Sequence, residues 1–112
     1  MSYSKSIAKS VTIASGQQLS ESVSTDGMLL AGIILPATIT GTALTFDFSL
    51  DNSTFVDVVE TDGTAVSYTV TAGDVVRVDP SGWAFASSGY IKVDTGSAEA
   101  AAREIVLIFR SS

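Results

Sequence analysis

The chain of 112 residues has no cysteine and no histidine, only two prolines and a single tryptophan. Without cysteine there is no disulfide framework, no thiolate nucleophile and no cysteine-held metal, and neither an oxidising nor a reducing compartment is demanded. Without histidine the commonest general base, metal ligand and pH switch are missing together, and Ser-His-Asp or Cys-His arrangements cannot be built. Carboxylates, lysine and tyrosine are what remain for catalysis. Positive charge is scarce as well: six Lys and Arg stand against twelve Asp and Glu, a formal charge of −6. Such a chain is repelled by phosphate backbones and anionic lipid, which argues against nucleic acid and membrane as partners. The longest apolar run, Met28 to Leu35, is eight residues including Gly32, far short of the ~20 that a membrane helix needs. The first ten residues hold no apolar h-region, so no secretory signal is expected.

What the chain does have is alternation. Leu44, Phe46, Phe48 and Leu50 alternate with Thr45, Asp47 and Ser49, the period of a half-buried strand. Asp51-Asn52-Ser53 supplies turn residues, and Phe55, Asp57 and Val59 open a second alternating run, which together predict a β-hairpin. Val11 and Ile13, then Leu19, Glu21 and Val23, mark earlier strands. Asp26-Gly27 is a tight-turn dipeptide. Met28 to Leu35 is apolar throughout and predicts a strand covered on both sides, ended by Pro36. Asp62-Gly63 and Ala72-Gly73-Asp74 mark further turns around Val66, Tyr68 and Val70, and Val76 and Val78 are expected inward. A looser connection holds Trp83 and Phe85. Ile91 and Val93 share one face of a short strand, Ala98 to Ala102 fits a half-turn of helix, and Glu104 to Arg110 closes the chain. Turn signals recur roughly every ten residues, and no stretch shows helical periodicity over three turns. The reading is an all-β, single-domain antiparallel β-sandwich of eight or nine strands, jelly-roll-like, with residues 1–10 as an N-terminal arm and 11–112 as the sandwich.

Few constellations in this pattern carry chemistry. Asp47, Asp51, Asp57, Glu60 and Asp62 cluster around the hairpin, but alternation turns Asp47 to solvent, and Asp51 and Asp62 sit in turns where backbone geometry favours aspartate. Asp51-Asn52-Ser53 offers oxygens to calcium without any EF-hand spacing, so turn chemistry is the better account. Neither a catalytic pair, a metal site nor a cofactor site is expected. Candidate partner contacts come from three places. Lys5 and Lys9 carry a third of the positive charge near the N-terminus and mark either a solvated tail or a docking arm. Trp83, Phe85 and Tyr90 lie in or beside the longest loop, where a lone tryptophan either plugs the sandwich or offers a platform for a sugar ring. The last strand is apolar on both faces, so Val106 and Ile108, with Arg110 beside them, meet either a central position in a sheet or another subunit.

Gly32-Ile33-Ile34-Leu35-Pro36-Ala37, Thr42 to Phe46, Ser49-Leu50-Asp51 leading into Phe55 to Val58, and Asp62-Gly63-Thr64 form an ordered series. It continues through Val78-Asp79-Pro80, Tyr90 to Val93 with Thr95-Gly96-Ser97, and Ala102 to Leu107. Over about Val23 to Phe109 the series resembles small structural proteins encoded among the virion genes of tailed bacteriophages and prophages. Members often carry glycine after the aspartate of the hairpin turn; this chain has Asn52, which also tolerates a left-handed backbone. The resemblance implies a non-enzymatic capsid decoration or cement protein with a β-sandwich fold. It implies the major capsid protein as partner and self-association as a dimer or trimer. The place of action implied is the outer capsid surface of a virion assembled in a bacterial cytoplasm. The alternative expectation is a glycan- or receptor-binding sandwich of a phage tail or fibre.

Overall fold

Residues of alternating polarity bury one face of each strand, and two such faces pressed together make a sandwich. The computed structural model describes residues 5–111. It contains nine strands and one short 3-10 helix: β1 (Ser6–Ile13), β2 (Val23–Ser24), β3 (Leu29–Ile34), β4 (Ala43–Ser49), β5 (Val56–Asp57), β6 (Tyr68–Thr69), β7 (Val75–Arg77), the helix Pro80–Ala86, β8 (Tyr90–Asp94) and β9 (Arg103–Arg110). One sheet runs β1-β9-β3-β7 and the other β2-β8-β4-β5, with β6 paired to the start of β4. Every pairing is antiparallel. Apart from the β4–β5 hairpin and β6, successive strands pass from sheet to sheet, and the first strand neighbours the last and the second the next to last. With β6 set aside, that is the eight-stranded jelly roll expected from the turn spacing.

The core lies between the sheets. Leu44, Phe46, Ile91 and Val93 from one sheet meet Val11, Ile13, Leu30, Ile33, Ile105, Leu107 and Phe109 from the other, all at 1% exposure or less. Phe46 stands edge-on to Trp83, ring centroids 4.8 Å apart, and edge-on to Tyr68 at 5.7 Å. The turns behave as their residues dictate. Asp26 (φ 51°) and Gly27 (φ 77°) take the left-handed geometry of a tight turn, which the Met28 N–H closes by donating to the Thr25 carbonyl at 2.9 Å. Asn52 is left-handed too, at φ 62°. Asp51 Oδ1 accepts from the N–H groups of Ser53 and Thr54, each at 2.9 Å, and these bonds with that of the Ser49 hydroxyl hold its carboxyl down to about 2.

Several expectations change in the folded chain. The boundary drawn between residues 1–10 and the sandwich falls inside β1, since Ser6 to Ser10 pair with Arg110 to Val106. Met1 to Ser4 lie outside the described residues. The stretch Met28 to Leu35 is covered on its inner face alone; outward, Ile34 is 37% exposed. The second run of the hairpin has its faces exchanged. Val58 enters the core, whereas Phe55 lies under the Lys92 ammonium, 4.4 Å from its ring centroid. Leu50, expected inward with the phenylalanines, is 78% exposed because β4 ends one residue earlier, at Ser49. No helix forms at Ala98 to Ala102; that loop instead buries Glu99, at 1% exposure.

Glu99 is a hub that periodicity could not reveal. Its carboxylate accepts from the N–H groups of Thr40 (2.8 Å) and Gly41 (3.0 Å), the Thr95 hydroxyl (3.0 Å) and Arg103 Nε (2.9 Å). Burial pushes this carboxyl up, but the bonds from Thr40, Arg103, Gly41 and Thr95 outweigh it, and the net displacement is downward. Gly41 is needed for the approach, because a Cβ there would stand 2.3 Å from the Thr95 carbonyl oxygen. The knot ties the β3–β4 and β8–β9 loops together at one end of the sandwich.

Candidate docking ledge

The two sheets meet differently at their two open edges. Between β1 and β2 the edge is closed by Lys9, which shares the inward parity of Ile7, Val11 and Ile13. Its ammonium donates to the Ser24 carbonyl at 2.7 Å and forms an ion pair with Asp26, holding the Asp26 carboxyl below its usual value. Lys9 is therefore engaged within the fold, as a clasp across this edge. Lys5 is exposed, its backbone exchanging hydrogen bonds with Ser111.

The opposite edge, between β5 and β7, is filled by the 3-10 helix. Asp79 caps it by accepting from the Ser81 N–H at 3.1 Å, and Pro80 opens it. Trp83 points inward at 2% exposure, its Nε1–H donating to the Tyr68 hydroxyl at 3.0 Å. The platform role for Trp83 is thus corrected: the ring plugs the sandwich, because the short 3-10 helix aims it at Phe46 and half-buried Tyr68 gives its N–H a partner. Phe85, two residues on, is 54% exposed and packs edge-on against half-buried Phe48 at 5.4 Å. Its ring also stacks on Trp83 at 5.7 Å, so a buried aromatic column supports the exposed one.

Around Phe85 the core is left open to solvent. Phe48 and Val56, paired across β4 and β5, line two adjoining depressions, one running to Leu50 and Thr54, the other to Val58, Val59 and Phe85. A third, on the far side of Phe85, is lined by Val59, Glu60, Val66, Tyr68 and Trp83. The result is a continuous apolar ledge on which Leu50 (78%), Val56 (59%), Phe85 (54%) and Val59 (50%) are all exposed. Exposed acids Asp51, Asp57 and Glu60 rim it. Tyr90 is half-buried in β8 and lines a separate polar hollow with Ser24, Asp26, Ser88 and Gly89, which meets the ledge only at Leu50. Val106, Ile108 and Arg110 lie on the outer face of the other sheet.

Of the residues singled out from the sequence, the ledge gathers only Phe85, with Trp83 as its support. Leu50, Val56 and Val59 read in the sequence as strand residues and not as surface contacts, because alternation places them by parity and cannot show where the partner strand stops.

Among the described residues, no three acidic side chains lie close enough to hold a metal ion. Asp47 and Asp57 do face each other across β4 and β5 on the sheet's outer face. Partial burial and the Asp57 carboxylate, bonded to it and of like charge, push Asp47 up to about 6, with Asp94 adding to the rise and Lys92 opposing it. Lys92, paired with Asp47 on β8, is drawn over Phe55.

No protein-family model matches this chain, and no curated protein matches it. Among solved structures, the core of Drosophila NLP, described in terms of pentamer formation and histone binding, is similar over 96% of each chain, at 8% identity and a TM-score of 0.38. A likeness of that degree carries nothing about what this chain binds.

Proposed function

We propose that the protein is a non-enzymatic structural component of a tailed-phage virion, a capsid decoration or cement protein that binds the outer capsid surface and stabilises the head. The observation that carries this reading is the apolar ledge of Leu50, Val56, Val59 and Phe85, exposed at the edge of a sheet sandwich. Adjoining exposed apolar side chains rimmed by polar residues are what an interaction site presents. The ledge stands on packed strands and on Trp83, so docking costs little ordering of the chain. Its acidic rim calls for basic groups around the complementary surface, here that of the major capsid protein. The likeness of the strand and turn motifs to virion proteins points the same way. The reading of a glycan- or receptor-binding module rested on Trp83, Phe85 and Tyr90 as one platform, and only Phe85 lies on the open ledge.

The test is to purify the particles produced by cells carrying the gene and compare wild type with a Val56→Ser, Phe85→Ala variant. Both positions are exposed, so the variant should melt within a few degrees of wild type and be lost from particles. A variant retained at wild-type occupancy contradicts the reading.

A further inference from the structure

The outer face of the β1-β9-β3-β7 sheet presents a second apolar surface, which shares no apolar residue with the ledge and approaches it only at Asp79. Its side chains stand in four rungs across the strands. Ser10, Val106, Ile34 and Val75 form one rung, and Ala8, Ile108, Gly32 and Arg77 the next. Beyond the first lies the Thr12–Glu104 pair, and beyond the second Ser6, Arg110 and Leu29. The middle is therefore apolar, with Val75 at 60% and Ile34 at 37% exposure and Val106 and Ile108 half-buried. Charge divides by end. Glu104 is exposed at one end, its carboxylate accepting from the Ser10 hydroxyl at 2.9 Å. At the other end stand Arg77 and Arg110, both exposed, a basic pair that outnumbers the exposed Asp79 lining a depression with them. Arg110 Nε donates to the Ser111 carbonyl at 3.3 Å.

We infer that this face binds a second copy of the chain through a two-fold axis lying between the sheets, perpendicular to β9. That operation lays β9 antiparallel on its counterpart, sets Val106 of each copy against Ile108 of the other, and brings Glu104 to Arg110 at both ends. A two-fold along the strands sets Glu104 on Glu104 and Arg110 on Arg110, and charge alone selects against it. Sheets packed face to face sit about 10 Å apart with their strands near −30°, a spacing that long charged side chains at the ends of the patch bridge. The strand β9 is central in its sheet, paired with β1 on one flank and β3 on the other, so the face is formed before the copies meet. This surface is distinct from the ledge, so the dimer stands or falls separately from capsid binding.

Analytical ultracentrifugation of the full chain tests the register directly, with Glu104→Arg, Arg110→Glu and the double exchange as variants and thermal melting as the fold control. Wild type should sediment as a dimer. Each single reversal, which places like charges together at both ends, should weaken the dimer roughly tenfold or more, and the double exchange should return it to near wild type. A monomeric wild type overturns the inference. So do single reversals without effect, or a folded double exchange that dimerises no better than the singles.

Discussion

At Glu99 a carboxylate at 1% exposure accepts four hydrogen bonds, from two backbone N–H groups, the Thr95 hydroxyl and Arg103. Glu99→Gln keeps the shape but sets an amide NH2 where donors already point, and leaves the half-buried Arg103 without its anion. The expected loss is about 2–4 kcal/mol, read as a shift in urea midpoint at constant slope. Because the folded carboxyl titrates below its ordinary value, its contribution is present at neutral pH and disappears as pH falls through the folded value. Asp47 carries the opposite sign. Its carboxyl is raised from 3.8 to about 6, so ionising it disfavours the folded state, and its relative stabilisation is complete below about 4 and lost as pH rises through 6. Asp47→Asn should therefore raise the melting temperature most at pH 7 and leave it nearly unchanged at pH 4. Parallel melting-temperature curves for wild type and variant from pH 4 to 7 contradict the carboxylate pairing. Phe46 is 1% exposed with Trp83 and Tyr68 edge-on to it, and Phe46→Ala should cost roughly 3–5 kcal/mol, measured by denaturant unfolding.

Among the elements, β4, β8 and β9 were legible in the sequence because each alternates over five or more residues with a partner of matching length. Leu44, Phe46, Ile91, Val93, Ile105 and Leu107 all face the core as their parity predicts. The short elements were not legible. β5 holds only Val56 and Asp57, and the period of two cannot tell which of Phe55 and Val56 faces inward until the Asn52 turn sets the register. The helix at Pro80–Ala86 is seven residues of 3-10 geometry, too brief for a helical periodicity to show in sequence, yet it decides that Trp83 is buried and Phe85 is not. Lys9 had the parity of the core residues, but its charge suggested solvent, and only the position of Asp26 across the sandwich edge explains it. Tight backbone approach is equally silent in sequence. Gly41→Ala should push apart the loops that Glu99 joins and cost roughly 1–3 kcal/mol of stability, which a urea titration reads.

At the scale of the molecule, the jelly roll separates tasks by surface. The Glu99 knot and the Lys9 clasp hold the loops and one open edge, the inner faces supply the core, and two uncovered apolar surfaces remain on different parts of the fold. The charge-divided face of the β9 sheet suits a second copy, and the ledge beside the 3-10 helix suits a large fixed surface. Fold class was readable from turn spacing and alternation; the surfaces were not, because exposure depends on where neighbouring strands end. The measurement that bears most directly on the proposed role is quantitative mass spectrometry of purified phage particles from cells carrying the gene. A decoration protein is present in fixed ratio to the major capsid protein, and the Val56→Ser, Phe85→Ala variant is depleted from particles while remaining folded in the lysate. Particles that lack the wild-type protein contradict the account.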